Sequence, residues 1–187
     1  MACTIANGRI VDCADSVGGI NRVLISAGYE EMTSNAAFTA ANDTVSAIGA
    51  QTFFTFELRP ELSSLTVNYQ ADKASGTTFF EQVLSCTFQN LDVTDLADIK
   101  ALCQGRPNIW VLDNMDKCWL LGAKYGCNVT GGNIQTGTAF GDMNGFTIDF
   151  TAREENPIFL ATASTVGVAG ADYPLDNVTN ATVNPQP

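Results

Sequence analysis

The sequence predicts a mainly β chain of the α+β kind. Antiparallel sheets form a β-sandwich or barrel, and one α-helix, at about residues 93–104, flanks them. Three observations point there. Apolar and polar residues alternate over several short runs, the period of a half-buried strand. Thr and Asn are abundant, at 20 and 15 residues, and they favour strands and the turns that end them. One stretch alone switches to helical spacing. With 187 residues the chain can bury a substantial core as one domain. Residues 1–161 are assigned to a single β-sandwich domain and residues 162–187 to an extended C-terminal arm.

The first strand is expected in "NRVLISAG", ending at Gly28. "EEMTSNAAFTAANDTVSAIGAQ" is small, polar and weakly periodic, and reads as a loop carrying one short strand. Phe54, Phe56 and Leu58 then alternate with polar neighbours until Pro60, and Leu65, Val67 and Tyr69 do the same. "ADKASG" is a turn, leading to a strand that places Phe80, Gln82, Leu84, Cys86 and Phe88 on one face. In "NLDVTDLADIKALCQGRP" the apolar residues Leu96, Ile99, Leu102 and Cys103 recur at helical spacing. Asp92 or Thr94 can cap this helix, Asp95 and Asp98 suit its positive end, and Gly105-Arg106-Pro107 stops it. "CNVTGGNIQTGTAFGDMNG" reads as a short strand with turns, and "GFTIDFTARE" is the cleanest strand, with Phe146, Ile148, Phe150 and Ala152 on one face. "ENPIFLA" closes the domain. From Thr162 onward there is no basic residue and there are three prolines, too little apolar bulk for a core of its own. This arm is expected to become ordered against a neighbouring subunit.

The hairpin "NIWVLDNMDKCWLLGAKYG" raises the main question. Its arms, Ile109-Trp110-Val111-Leu112 and Cys118-Trp119-Leu120-Leu121, are apolar on both faces, whereas a hairpin exposed on one side alternates. Either the rest of the chain covers both faces, with the flanking helix over part of the second, or a sandwich buries one face and a second subunit covers the other. On the latter reading Trp110, Leu112, Trp119 and Leu121 are assigned to a subunit interface.

Composition narrows the chemistry. The chain has no His, removing the commonest general base and metal ligand and every Ser-His-Asp or Cys-His nucleophile. Its cysteines (Cys3, Cys13, Cys86, Cys103, Cys118, Cys127) lack C-x2-C spacing, so metal sites and cofactors are not expected, and the start "MACTIANGRIVDC" lacks signal-peptide character. Free thiols made in a reducing cytoplasm are the expectation. The sequons at Asn42, Asn128, Asn177 and Asn180 then read as chance. The glycine stretch matches neither a dinucleotide fingerprint nor a P-loop. The acid pairs Asp113/Asp116 and Glu154/Glu155 are better read as turn formers than as a glycosidase pair, and no enzyme is expected. Nine scattered basic residues against a net charge of −11 argue against sequence-specific nucleic-acid binding, and no apolar run approaches a membrane span. Trp110 and Trp119 would make a sugar-stacking platform only if exposed.

From residue 77 to 161 the order and spacing resemble tailed-bacteriophage tail tube (major tail) proteins. "V-L-D-N-…-K-x-W-L-L-G", then "T-G-T-A-F-G-D-x-N-G-F" and a last strand leading to "E-x-N-P" carry the likeness. In the hairpin turn Met115-Asp116 stand where a glycine is more usual. The resemblance implies a virion structural protein whose copies form homohexameric rings that stack into a tube for DNA delivery. One sheet of each copy would join a continuous barrel around the lumen. It further implies assembly in the host bacterial cytoplasm and partners such as tape measure and tail terminator proteins. The alternatives are a capsid decoration or head–tail connector protein, and a carbohydrate-binding β-sandwich module.

Overall fold

Strands dominate the computed structural model, which describes residues 16–35, 37–39, 44–90, 93–161 and 172–184. Cys3, Cys13, Asn42, Asp92 and residues 162–171 of the expected arm lie outside them. The order is β1 (Ile20–Ser26), one helical turn α1 (Met32–Asn35), β2 (Ala37–Thr39), β3 (Thr44–Glu57), β4 (Ser64–Asp72) and β5 (Thr77–Gln89). Helix α2 (Val93–Gln104) follows, then β6 (Ile109–Asp113), β7 (Cys118–Leu121), β8 (Asn128–Gln135), β9 (Gly145–Glu154), β10 (Phe159–Ala161) and β11 (Thr179–Asn184). The fold is mainly β with two sheets, as the periodicity predicts.

The larger sheet runs β1-β6-β7-β10-β3 and returns to β1 through a β1–β3 pairing, so five strands close on themselves. The 14-residue β3 makes closure possible. At Val45 one of its edges meets β10 and the other β2; at Phe53 and Phe54 one edge meets β1 and the other β11. Residues 44–51, expected to belong to a loop with one short strand in it, are the first half of this long strand. Their small residues obscure the period in sequence, and pairing on both edges holds them extended.

Closure answers the question the hairpin raised. Leu24, Val45, Phe53, Trp110, Leu112, Cys118, Leu120 and Phe159 join one apolar cluster, with side chains from all five strands of the circuit. The alternate residues Val23, Ile25, Ile109, Val111 and Leu121 form a second cluster with Leu84, Cys86, Ile148 and Phe150 of the other sheet. Both faces of β6 are therefore covered from within the chain. The four residues assigned to a subunit interface do not form a surface. Trp110, Leu112 and Leu121 are 0%, 1% and 0% exposed, and Trp119 is half-buried. The register pairs Trp110 with Leu120 and Val111 with Trp119, so the two tryptophans point to opposite faces.

The C-terminal segment is likewise corrected. Residues 172–184 belong to the chain's own fold: Leu175, Val178, Ala181 and Val183 enter the first cluster, and β11 pairs in parallel along β3. Few apolar side chains suffice because they complete a core that other strands build. The Asp172 carboxylate accepts the Val183 N–H at 2.9 Å and fastens the turn that precedes β11.

The second sheet, β4-β5-β9-β8, is antiparallel throughout. Phe88 and Phe146 stack at 4.8 Å between ring centroids, and Phe56 of β3 meets Phe88 edge-on at 5.8 Å, joining the sheets. Helix α2 packs on this cluster through Ile99 and Leu102; Leu96 and Cys103, expected on the same face, are exposed. Two side chains three apart make a narrow stripe.

Truncating a buried side chain here should lower folding stability. Trp110→Ala should cost about 3–5 kcal/mol and Leu175→Ala about 2–5 kcal/mol in denaturant unfolding. Unchanged stability of Leu175→Ala would detach residues 172–184 from the core.

Candidate functional site

The candidate site is the open four-stranded sheet with the structures at its two ends. Its inner face packs on the closed sheet. Its outer face presents Thr66, Asn68 and Gln70 of β4, Glu81, Ser85 and Thr87 of β5 with Phe79 and Val83 among them, and Thr147, Asp149, Thr151 and Arg153 of β9. Ser85 donates to Asp149 at 2.6 Å and Arg153 pairs with Glu81 at 2.9 Å, so the face is laced with polar contacts. Among the described residues no strand covers the outer edge of β4 or of β8. Three antiparallel steps separate these two edges, so they run in opposite directions. Their lengths, 9 and 8 residues, nearly match.

At one end of the sheet the loop Gly122–Cys127 is a hub. Gly122 and Gly126 adopt φ of +64° and +75°, and a side chain on Gly126 would meet the Arg106 carbonyl at 2.6 Å. Buried polar groups hold its backbone. Gln82 Oε1 accepts the Gly122 N–H at 3.0 Å, Asn108 Nδ2 donates to the Gly122 carbonyl at 2.6 Å, and Glu154 Oε1 accepts from Lys124 and Tyr125 at 3.1 and 3.0 Å. Burial pushes the Glu154 carboxyl above its usual range, against the pull of those two N–H donors. Glu155, by contrast, is held low by Lys124 and Tyr125, which it bonds at the surface. Tyr29 donates its hydroxyl to the Lys124 carbonyl and stacks under the Arg106 guanidinium, 4.4 Å from the ring centroid. Beside them a cleft of about 420 Å³ opens between α2 and the ends of β1 and β3.

At the opposite end, the β8–β9 loop is gathered by Asp142. Its Oδ2 accepts from the Thr138 and Ala139 N–H groups, each at 2.8 Å, and this holds the carboxyl below its usual range. Phe140 at its tip touches nothing, at 114% relative exposure.

The acid pairs have structural work in this fold. Asp113 accepts the Met115 and Lys117 N–H groups and, at 2.9 Å, the Trp119 indole N–H. Asp116 supplies the left-handed residue that the hairpin turn needs, at φ 57°, in place of glycine. Trp110 is buried and Trp119 tied to Asp113, so they form no exposed platform for a sugar ring. Among the described residues Cys86, Cys103, Cys118 and Cys127 carry free thiols and no cluster of three metal-ligating side chains occurs. Desolvation, with the nearby Asp149 charge, pushes the Cys86 thiol up to about 12. Among the described residues no helix is long and apolar enough to cross a membrane.

The sequence foresaw the inner and outer faces of β5 and β9. It missed the roles of Gln82, Asn108 and Glu154; a Gln at an inward position of a strand was the one available signal. No family model, no curated protein and no solved structure matches this chain.

Two outcomes are expected. Since the folded state holds a proton on Glu154 more tightly than the unfolded chain, this carboxyl's own contribution to stability is lost as pH rises above about 4.5, its unfolded value. Glu154→Gln should therefore match wild type below that pH and gain on it towards neutrality in thermal melts; a growing deficit instead would mean the backbone donors outweigh burial. Mass-spectrometric mapping after alkylation of native protein should find Cys103 modified fast and Cys86, Cys118 and Cys127 only after unfolding. Fast labelling of Cys127 would contradict the burial described.

Proposed function

We propose that this chain is a virion structural protein whose copies form hexameric rings, stacking into a tail tube that delivers DNA from a tailed bacteriophage. The carrying observation is the four-stranded antiparallel sheet with both edges open among the described residues and a mainly polar outer face. An open edge is normally blunted or covered, because its free N–H and C=O groups recruit another strand. In a rotationally symmetric ring, β8 of one copy lies beside β4 of the next. An even number of antiparallel strands makes that junction antiparallel as well. About 24 strands spaced near 4.8 Å give a barrel roughly 37 Å across before strand tilt widens it, ample for a duplex.

The polar face would line the lumen. Asp72, Glu81 and Asp149 face outward there against Arg153, so the wall carries more acid than base and has little with which to neutralise phosphates. DNA would pass without being held. The count of six copies and the phage setting rest on the resemblance across residues 77–161.

Negative-stain imaging and light scattering of purified protein should reveal rings and stacked tubes. Consecutive residues on β4 send their N–H groups to opposite edges, so Thr66→Pro and Val67→Pro should separate folding from assembly. One should weaken the pairing with β5; the other should stay folded and remain a monomer. Rings from a folded variant of each kind would rule out edge-to-edge joining through β4.

A further inference from the structure

Phe140 and the cleft beside Arg106 lie at opposite ends of β8. The β8–β9 loop follows Gln135, which pairs with Gly145, whereas Cys127, just before β8, takes the Pro107 carbonyl at 2.8 Å at the cleft end. Eight residues of strand separate them, about 26 Å at 3.3 Å per residue. A chain therefore cannot seat its own Phe140 in its own cleft. The geometry points to a head-to-tail contact in which Phe140 of one copy inserts into this cleft of the next copy along the axis. This inference rests on the tube reading above and names the residues that join one ring to the next.

The cleft suits an aromatic ring. Ile25, Phe54, Phe56, Leu102 and Pro107 give it apolar walls, and 420 Å³ exceeds the roughly 150 Å³ that suffices for benzene in an apolar cavity. Charge is complementary at the rim. Arg106 stands exposed beside the cleft, and Asp142 is the one charged residue between Gln135 and Gly145. Asp98 also lines the cleft, on the same helix face but two turns before Gly105, about 10 Å along the axis from the end where Arg106 sits. The loop arrives preorganised by the Asp142 hydrogen bonds, so little entropy is lost in presenting the ring. A knob at one end and a hole at the other make a heterologous contact that does not close, which generates filaments.

The test uses the full chain with Phe140→Ala, and separately Ala101→Trp, which fills the cleft from α2 at an exposed position. Each variant should melt as wild type does and form rings of wild-type diameter. Each should raise the concentration needed for tubes about tenfold or more, the effect of losing one hot-spot aromatic. Tubes unaffected by either change would overturn the contact and leave the ring reading standing. Discrete dimers dissolved by Phe140→Ala would overturn the head-to-tail arrangement, and wild-type protein forming neither rings nor tubes would overturn both readings.

Discussion

Closure of β1, β6, β7, β10 and β3 into one circuit is the constraint on which the rest of this molecule depends. A strand in such a circuit has an inside and an outside, and on β6 both are dry. The inside is filled by side chains from every strand; the outside is covered by the second sheet. That is why β6 carries four consecutive buried apolar residues, and why its partner β7 does nearly the same. The circuit also explains the length of β3, which must reach β10 at its start and β1 at its end.

A dry circuit leaves a problem where chains leave it, since loop backbone there is buried with its polar groups. The hub at Gly122–Cys127 meets this with Gln82, Asn108 and Glu154, each carrying hydrogen bonds that water would otherwise supply. Ser26 adds to it by accepting the Asn108 N–H at 2.9 Å. The same hub positions Tyr29 and Arg106 against the mouth of the cleft. Structural satisfaction and surface presentation thus share residues, and a change to either is felt by the other.

The open sheet answers to different demands. One face is bound to the circuit, but its other face and both edges have no such partner among the described residues. Its central strands are long and regular, while Gly131 and Gly132 on β8 keep the edge narrow; a side chain on Gly132 would meet the Thr147 carbonyl at 2.8 Å. Among the described residues the fold is therefore closed in one sheet and open-edged in the other.

The sequence by itself determined the strands with regular alternation, β4, β5 and β9, and the helix at Val93–Gln104 with its stop at Gly105-Arg106-Pro107. These depend on period and local capping, which are written in adjacent residues. It also showed that the hairpin is apolar on both faces. What covers those faces was decided by tertiary structure alone, because ring closure is a relation between β1 and β3, more than 25 residues apart at their paired positions Val23 and Phe56. The C-terminal segment shows the same limit. Leu175, Val178, Ala181 and Val183 look too sparse to matter in sequence, and they matter only because a core made elsewhere in the chain has room for them. Nor could spacing reveal that Phe140 and the cleft face opposite ways, since both positions follow from the registers of β8 with β9 and of the hub with Pro107.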